Sequence, residues 1–178
     1  MNPDWNQLEL ARQGDEEAWR ALVERHSPRL LKIVLLITGS AATAQDLIQD
    51  TFLELYHKGP RHSRGSLKGY LSTVAYHLAL KEKHRSGNLK PLGGIEQPAE
   101  KLSPLDIALA GERERIVSDV IQSLEDGHRD ILVLRFYGGH SYKEIARISG
   151  LPLGTVKSRM FNALKKCRLR LREKGVLE

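Results

Sequence analysis

Thr155, Lys157, Ser158, Arg159 and Asn162 are the residues whose types and spacing could do recognition chemistry near the C-terminus. Hydroxyls, an amide and cations gathered at one end of a helix can donate to base edges and to phosphate oxygens, with Lys and Arg suited to either guanine or phosphate. Val156, Met160, Ala163, Leu164, Cys167 and Leu171 follow helical spacing and form one apolar stripe, so the polar set is expected to face outward. Ile145, Ala146 and Ile148 give a preceding short helix its narrow apolar face. Ser141 and Glu144 are spaced as a capping box, Gly150 can close that helix, and Pro152 favours a new start beyond it. Short helix, glycine corner and long basic helix is the layout of a helix-turn-helix, whose second helix enters a DNA major groove. The plain alternative is a helical hairpin with a solvated basic face. Eight basic residues between Lys157 and Lys174, against Glu173 alone, favour phosphate contact.

A second set of chemistry-bearing residues lies in the N-terminal half. Asp46, Asp50 and Glu54 sit at i, i+4 and i+8, with Gln49 beside them. Carboxylates in one row repel one another mildly, and these lack cationic partners at helical spacing. They form either a solvated face or a docking surface for a basic partner. The segment Gly59 to Ser66 reads as a cationic loop carrying Arg61, His62, Ser63 and Arg64. The helix after it carries Tyr70, His77, Lys81 and Arg85, and aromatics interleaved with cations suit unstacked bases and their phosphates. Half-buried tyrosines at a helix surface are the equally plain reading.

The elements that must position these groups are all helical. Asp15 caps a helix running to about Ile37, with a kink or break expected at Pro28. Further helices are expected over about 41–57, 67–85, 105–124 and 127–137, ahead of the helix-turn-helix. The pattern lapses between them, in SGNLKPLGGIEQPAEKLSP, which reads as a flexible linker. The expectation is an all-α chain of two small helical domains, residues 10–86 and 105–175, joined by a linker over 87–104.

Composition narrows the classes. At 178 residues, with 40% hydrophobic and 28% charged residues, the chain is of ordinary globular make-up, and its net charge of +6 favours an anionic partner. One cysteine, on the apolar stripe, excludes an intramolecular disulfide and a multi-thiolate zinc site. The histidines lack metal spacing, so no metal, cofactor or catalytic residue is expected. The acidic, polar start is unlike a signal peptide, and no apolar run is long enough to span a bilayer. A cytoplasmic protein without membrane insertion is the expectation.

These residues resemble a known family. Leu124, Arg129, Ile131 to Arg135, Gly139, Ser141, Glu144-Ile145-Ala146, Gly150 and Gly154-Thr155-Val156-Lys157-Ser158-Arg159 look like region 4 of bacterial sigma-70 family factors. Asp46-Leu47, Gln49-Asp50 and Phe52 resemble the region 2 helix that such factors lay on polymerase, and Gly69-Tyr70-Leu71, Ala75 and Leu78-Ala79-Leu80 up to Arg85 resemble the segment that melts the promoter. Length and region order resemble the extracytoplasmic-function (ECF) group. The resemblance implies a non-catalytic subunit that gives RNA polymerase promoter recognition and DNA opening. It implies docking by Asp46, Gln49, Asp50 and Glu54 on the beta-prime clamp helices, with a further contact to the beta flap. It also implies capture of an unstacked −10 base by Arg61, His62, Ser63 and Arg64, and strand-holding by Tyr70, His77, Lys81 and Arg85. Thr155, Lys157, Ser158, Arg159 and Asn162 would enter the −35 major groove, and an anti-sigma factor is a further candidate partner.

The chain departs from the family pattern at several positions. Tyr70 stands where Trp is frequent, His77 where Asn is, Lys81 where an acid is, Glu125 where Pro is common and Leu153 where a small polar residue is usual. An unusual −10 preference is the expectation from these changes. The rival readings are a stand-alone helix-turn-helix regulator and an enzyme that borrows a DNA-binding module. Residues 1–85 offer neither a ligand-cavity pattern nor a catalytic constellation to support them.

Overall fold

The computed structural model describes residues 3–60, 65–88 and 111–177. Among them the chain forms helices only: α1 Pro3–Arg12, α2 Glu16–Thr38, α3 Ala41–Lys58, α4 Leu67–Asn88, α5 Glu112–Gln122, α6 Asp126–Phe136, α7 Tyr142–Ser149 and α8 Leu153–Glu173. The expected linker over 87–104, the start of the expected helix at 105 and the loop residues Arg61, His62, Ser63 and Arg64 fall, apart from the last turn of α4, outside the described residues.

Local chemistry accounts for the ends of these helices. The Asp15 carboxylate accepts from the Ala18 amide at 3.0 Å, and the Ser40 hydroxyl from Thr43 at 3.2 Å, each satisfying an otherwise orphaned donor. Of the kink or break expected at Pro28, the break does not occur: α2 runs through it. An interior proline costs about 3 kcal/mol. On either side of it Leu22, Leu30, Ile33 and Ile37 are fully buried, and each such side chain returns about 1.5–3 kcal/mol. The packing outweighs the missing bond.

α2 is the central element of the N-terminal half, packed against α1, α3 and α4. Sequence periodicity gave no sign of α1. It buries Leu8 and Ala11, and Arg12 donates to the carbonyls of Leu55 and Gly59 at 2.9 and 2.8 Å. A cation there satisfies the last acceptors of α3 and complements its dipole.

In the C-terminal half α8 packs on α5, α6 and α7. Arg129 donates to the Gln122 and Leu124 carbonyls and so closes the end of α5. The capping box forms, with Ser141 N to Glu144 Oε2 at 2.7 Å and Glu144 N to Ser141 Oγ at 3.3 Å. Gly150 takes φ 69°, the left-handed conformation that ends α7 and turns the chain into α8.

Candidate protein and nucleic-acid interfaces

α3 buries Ala44, Leu47, Ile48, Thr51, Phe52 and Leu55. That stripe turns Asp46, Gln49 and Asp50 out to solvent, while Glu54 is half-buried. Glu54 feels the Tyr70 hydroxyl: burial first, then the Glu54 charge, pushes that phenol above its usual range. Leu53, 54% exposed, lies a helical turn from Gln49 and Asp50. An aliphatic beside carboxylates suits a protein partner, and its place off the buried stripe was the signal that could have found it.

On α4, His77, Lys81 and Arg85 are exposed at i, i+4 and i+8, while Tyr70 is half-buried with its ring 6.4 Å from that of Trp5. Arg85 donates to both oxygens of Glu82 at 3.0 Å, so part of its charge is met within the helix. The opposite face of α4 points inward, with Ser72, Ala75, Tyr76 and Ala79 buried.

On α8 the buried stripe is Val156, Met160, Ala163 and Cys167, and burial raises the Cys167 thiol above its usual range. Leu164, expected on that stripe, is 43% exposed. The steps 156, 160, 163 and 167 already define the inner face, and Leu164 falls about 100° round from Ala163. Lys157, Ser158 and Asn162 are exposed as expected, and the Ser158 hydroxyl donates to the Thr155 carbonyl at 3.0 Å. Thr155 and Arg159 are half-buried, which corrects the expectation that both face fully outward. The Arg159 guanidinium lies so close over Gly127 that an added Cβ there would stand 2.7 Å from Nη1. Phe161, 69% exposed, shares the outward face and was not anticipated as a contact. An exposed aromatic there can meet a thymine methyl.

The basic run of α8 has two uses. Lys166 pairs with Glu125 at 2.6 Å and Arg170 donates to the Ser123 hydroxyl, both tying α8 to the α5–α6 corner. Glu125, a departure from the family pattern, thereby has a partner, and Lys166 holds its carboxyl below the usual range. Lys157, Lys165 and Arg168 remain exposed. Among the described residues no group of three or more His, Cys, Asp or Glu side chains could hold a metal ion, and no helix is long and apolar enough to cross a membrane.

Residues 22–88 match Sigma-70 region 2 and residues 120–169 match Sigma-70, region 4. The ECF RNA polymerase sigma factor SigL of Mycobacterium tuberculosis is 30% identical over 161 residues, covering 88% of this chain and 90% of the relative. The chain belongs to the ECF sigma factors of the sigma-70 family. SigE of Mycolicibacterium smegmatis, another ECF sigma factor, is 28% identical over 162 residues, covering 87% of this chain and 63% of the relative. Among solved structures, CnrH in complex with the cytosolic domain of CnrY superposes with a TM-score of 0.68 at 21% identity, covering 96% of this chain and 97% of that one. RpoE in complex with the anti-sigma factor NepR from Bartonella quintana gives 0.66 at 21% identity, covering 86% and 96%. At that identity both show the fold. A sigma factor serves promoter recognition in transcription initiation, and region 2 followed by region 4 in one chain leaves the stand-alone regulator without support.

Proposed function

We propose that the sigma factor divides its work between two helix faces of opposite charge. The exposed acidic row of α3 docks onto core RNA polymerase through Asp46, Gln49, Asp50 and Glu54, assisted by Leu53. The outward face of α8, Thr155, Lys157, Ser158, Arg159 and Asn162, enters the major groove of the −35 element. Residues 61–64 with Tyr70, His77, Lys81 and Arg85 capture and hold the opened −10 strand. The working units are residues 10–86 and 105–175, and the chain acts in the cytoplasm as a non-catalytic subunit. Relatives of this fold solved with an anti-sigma factor or a cytosolic partner domain make a protein inhibitor a further partner to look for.

The observation that carries this reading is the solvent-facing row of Asp46, Gln49 and Asp50 on a helix whose other side is fully committed to the core. Without a partner, such a row only repels itself. Labelled chain should bind core polymerase, and Asp46→Lys with Asp50→Lys should lower that affinity at least about 100-fold, since like charges opposed across an interface cost several kcal/mol. Wild-type affinity in the double variant would remove α3 from the docking role.

A further inference from the structure

The backbone on either side of residues 61–64 is held by one helix, α1, which precedes both matched regions and contacts neither partner in the function proposed above. On the entry side Arg12 Nη2 donates to the Leu55 and Gly59 carbonyls at 2.9 and 2.8 Å, and Nη1 to the Pro60 carbonyl at 3.4 Å. On the exit side the half-buried Trp5 donates from Nε1 to the Gly65 carbonyl at 2.9 Å. Both points of attachment need glycine. A Cβ on Gly59 would stand 2.8 Å from Arg12 Nη2 and closer still to the Leu55 carbonyl oxygen, and Gly65 has φ 106°. Just beyond, Ser66 caps α4, its Oγ accepting from the Gly69 amide at 3.1 Å, and the Trp5 ring lies 6.4 Å from that of Tyr70.

α1 is itself fixed. Leu8 and Ala11 are buried, and on α2 Arg25 pairs with Asp4 at 2.5 Å while His26 Nε2 lies 3.2 Å from the same carboxylate. Closing the end of α3 explains the bond from Arg12 to Leu55. It does not explain the bond to Pro60, which lies past that helix, or the bond from Trp5 to Gly65, just ahead of α4.

We propose that α1 is a brace for −10 reading: Trp5 and Arg12 fix where the chain enters and leaves residues 61–64, and so set how selectively the unstacked base is read. The inference rests on the reading that residues 61–64 capture that base, and it deepens it. Trp5 and Arg12 are positioning residues in it and touch no DNA. A base taken out of the stack must be repaid by contacts in its new place, and any chain ordered on binding subtracts from that repayment. Ends held in advance by α1 leave less to order. They also limit adaptation, because flexible surfaces re-pack around wrong partners and discriminate poorly.

The test uses holoenzyme and labelled single-stranded oligonucleotides carrying the −10 element of a promoter mapped by its transcript start, each base of the element being changed in turn. Fluorescence anisotropy gives a selectivity ratio, the affinity for the mapped element over that for its worst single substitution. Trp5→Phe keeps an aromatic ring and removes the donor to Gly65; Arg12→Lys keeps the charge and replaces the guanidinium fork with one ammonium. Each should lower the ratio about three- to tenfold, the range that loss of one or two hydrogen bonds allows. Core-polymerase affinity, binding to −35 duplex and helicity should stay at wild type. A purely structural role would lower stability and leave the ratio alone, so a wild-type ratio in either variant would overturn the brace. Arg61→Ala with Arg64→Ala changes no anchor and tests the underlying reading. If that variant keeps the wild-type ratio, capture by residues 61–64 falls and the brace with it; if it loses the ratio while Trp5→Phe keeps it, the brace alone falls.

Discussion

α3 and α8 are built alike and charged oppositely. Each spends one stripe on the core, Leu47 to Leu55 in the first and Val156 to Cys167 in the second, and each turns the other side to solvent. On α3 that side is Asp46, Gln49, Asp50 and Leu53; on α8 it is Lys157, Ser158, Phe161, Asn162 and Lys165. The buried stripe sets how each helix is oriented and carries no information about partners. In the proposed function the exposed stripe selects them, carboxylates and an aliphatic for a basic protein surface, cations and an aromatic for duplex DNA. Stability and recognition are therefore separable on both helices.

The largest expected effects follow from breaking a buried stripe. Leu55→Ala, at a side chain with no exposure, should cost about 2–5 kcal/mol of unfolding free energy in a denaturant titration. Asp50→Ala on the other side of the same helix should stay within about 0.5 kcal/mol. A comparable loss at both would mean that the faces are not separable.

Next in size is a change confined to the recognition face. Arg159→Ala should weaken promoter binding by holoenzyme about tenfold, within the ~1–3 kcal/mol of a good base contact, and leave core-polymerase binding unchanged. Lys165 lies about two turns or more beyond Thr155, Lys157 and Ser158, proposed above to reach base edges, which suits phosphate contact. Lys165→Ala should lower affinity for all sequences alike and flatten the slope of log affinity against log salt by about 0.9. A change in sequence preference from Lys165→Ala would instead place that side chain on a base.

The smallest effect is a pH dependence of folding. Burial, then Arg29 and Lys68, lowers His140 to about 4, with Glu144 opposing, and His26 beside Arg29 is lowered by burial as well. Unfolding returns His140 toward about 6.5, so between those values the unfolded chain binds more protons and the fold weakens as pH falls. Asp130, raised by burial, works in the opposite sense. From about pH 7 to about pH 5.5 the unfolding free energy in a denaturant titration should fall, and His140→Asn should reduce that fall.

Much of this was legible in the sequence because it depends on periodicity within one element. The helices other than α1, the Asp15 cap, the Ser141-Glu144 box and the outward place of Asp46, Asp50, Lys157 and Asn162 follow from spacing alone. What spacing misses is set by neighbours distant in the chain. Pro28 stays helical because residues on both sides of it are anchored by α1, α3 and α4. Arg159 turns inward because Gly127 leaves room for a guanidinium. α1 has too few apolar residues to announce itself, yet Arg12 closes the end of α3. Leu164 was misplaced because a six-residue stripe admits more of the helix than the core covers. The burial of Ser72, Asp130 and His140 was invisible, since they look like ordinary polar residues until the fold pairs Ser72 with His140 and Asp130 with Tyr76.

The most direct test of the central claim is transcription of genomic DNA in vitro by core polymerase with and without the chain, with every transcript start mapped by sequencing. Starts that require the chain, share upstream sequence at two spaced elements, and vanish with Asp46→Lys and Asp50→Lys are expected. Starts no different from those of core polymerase alone would contradict that claim.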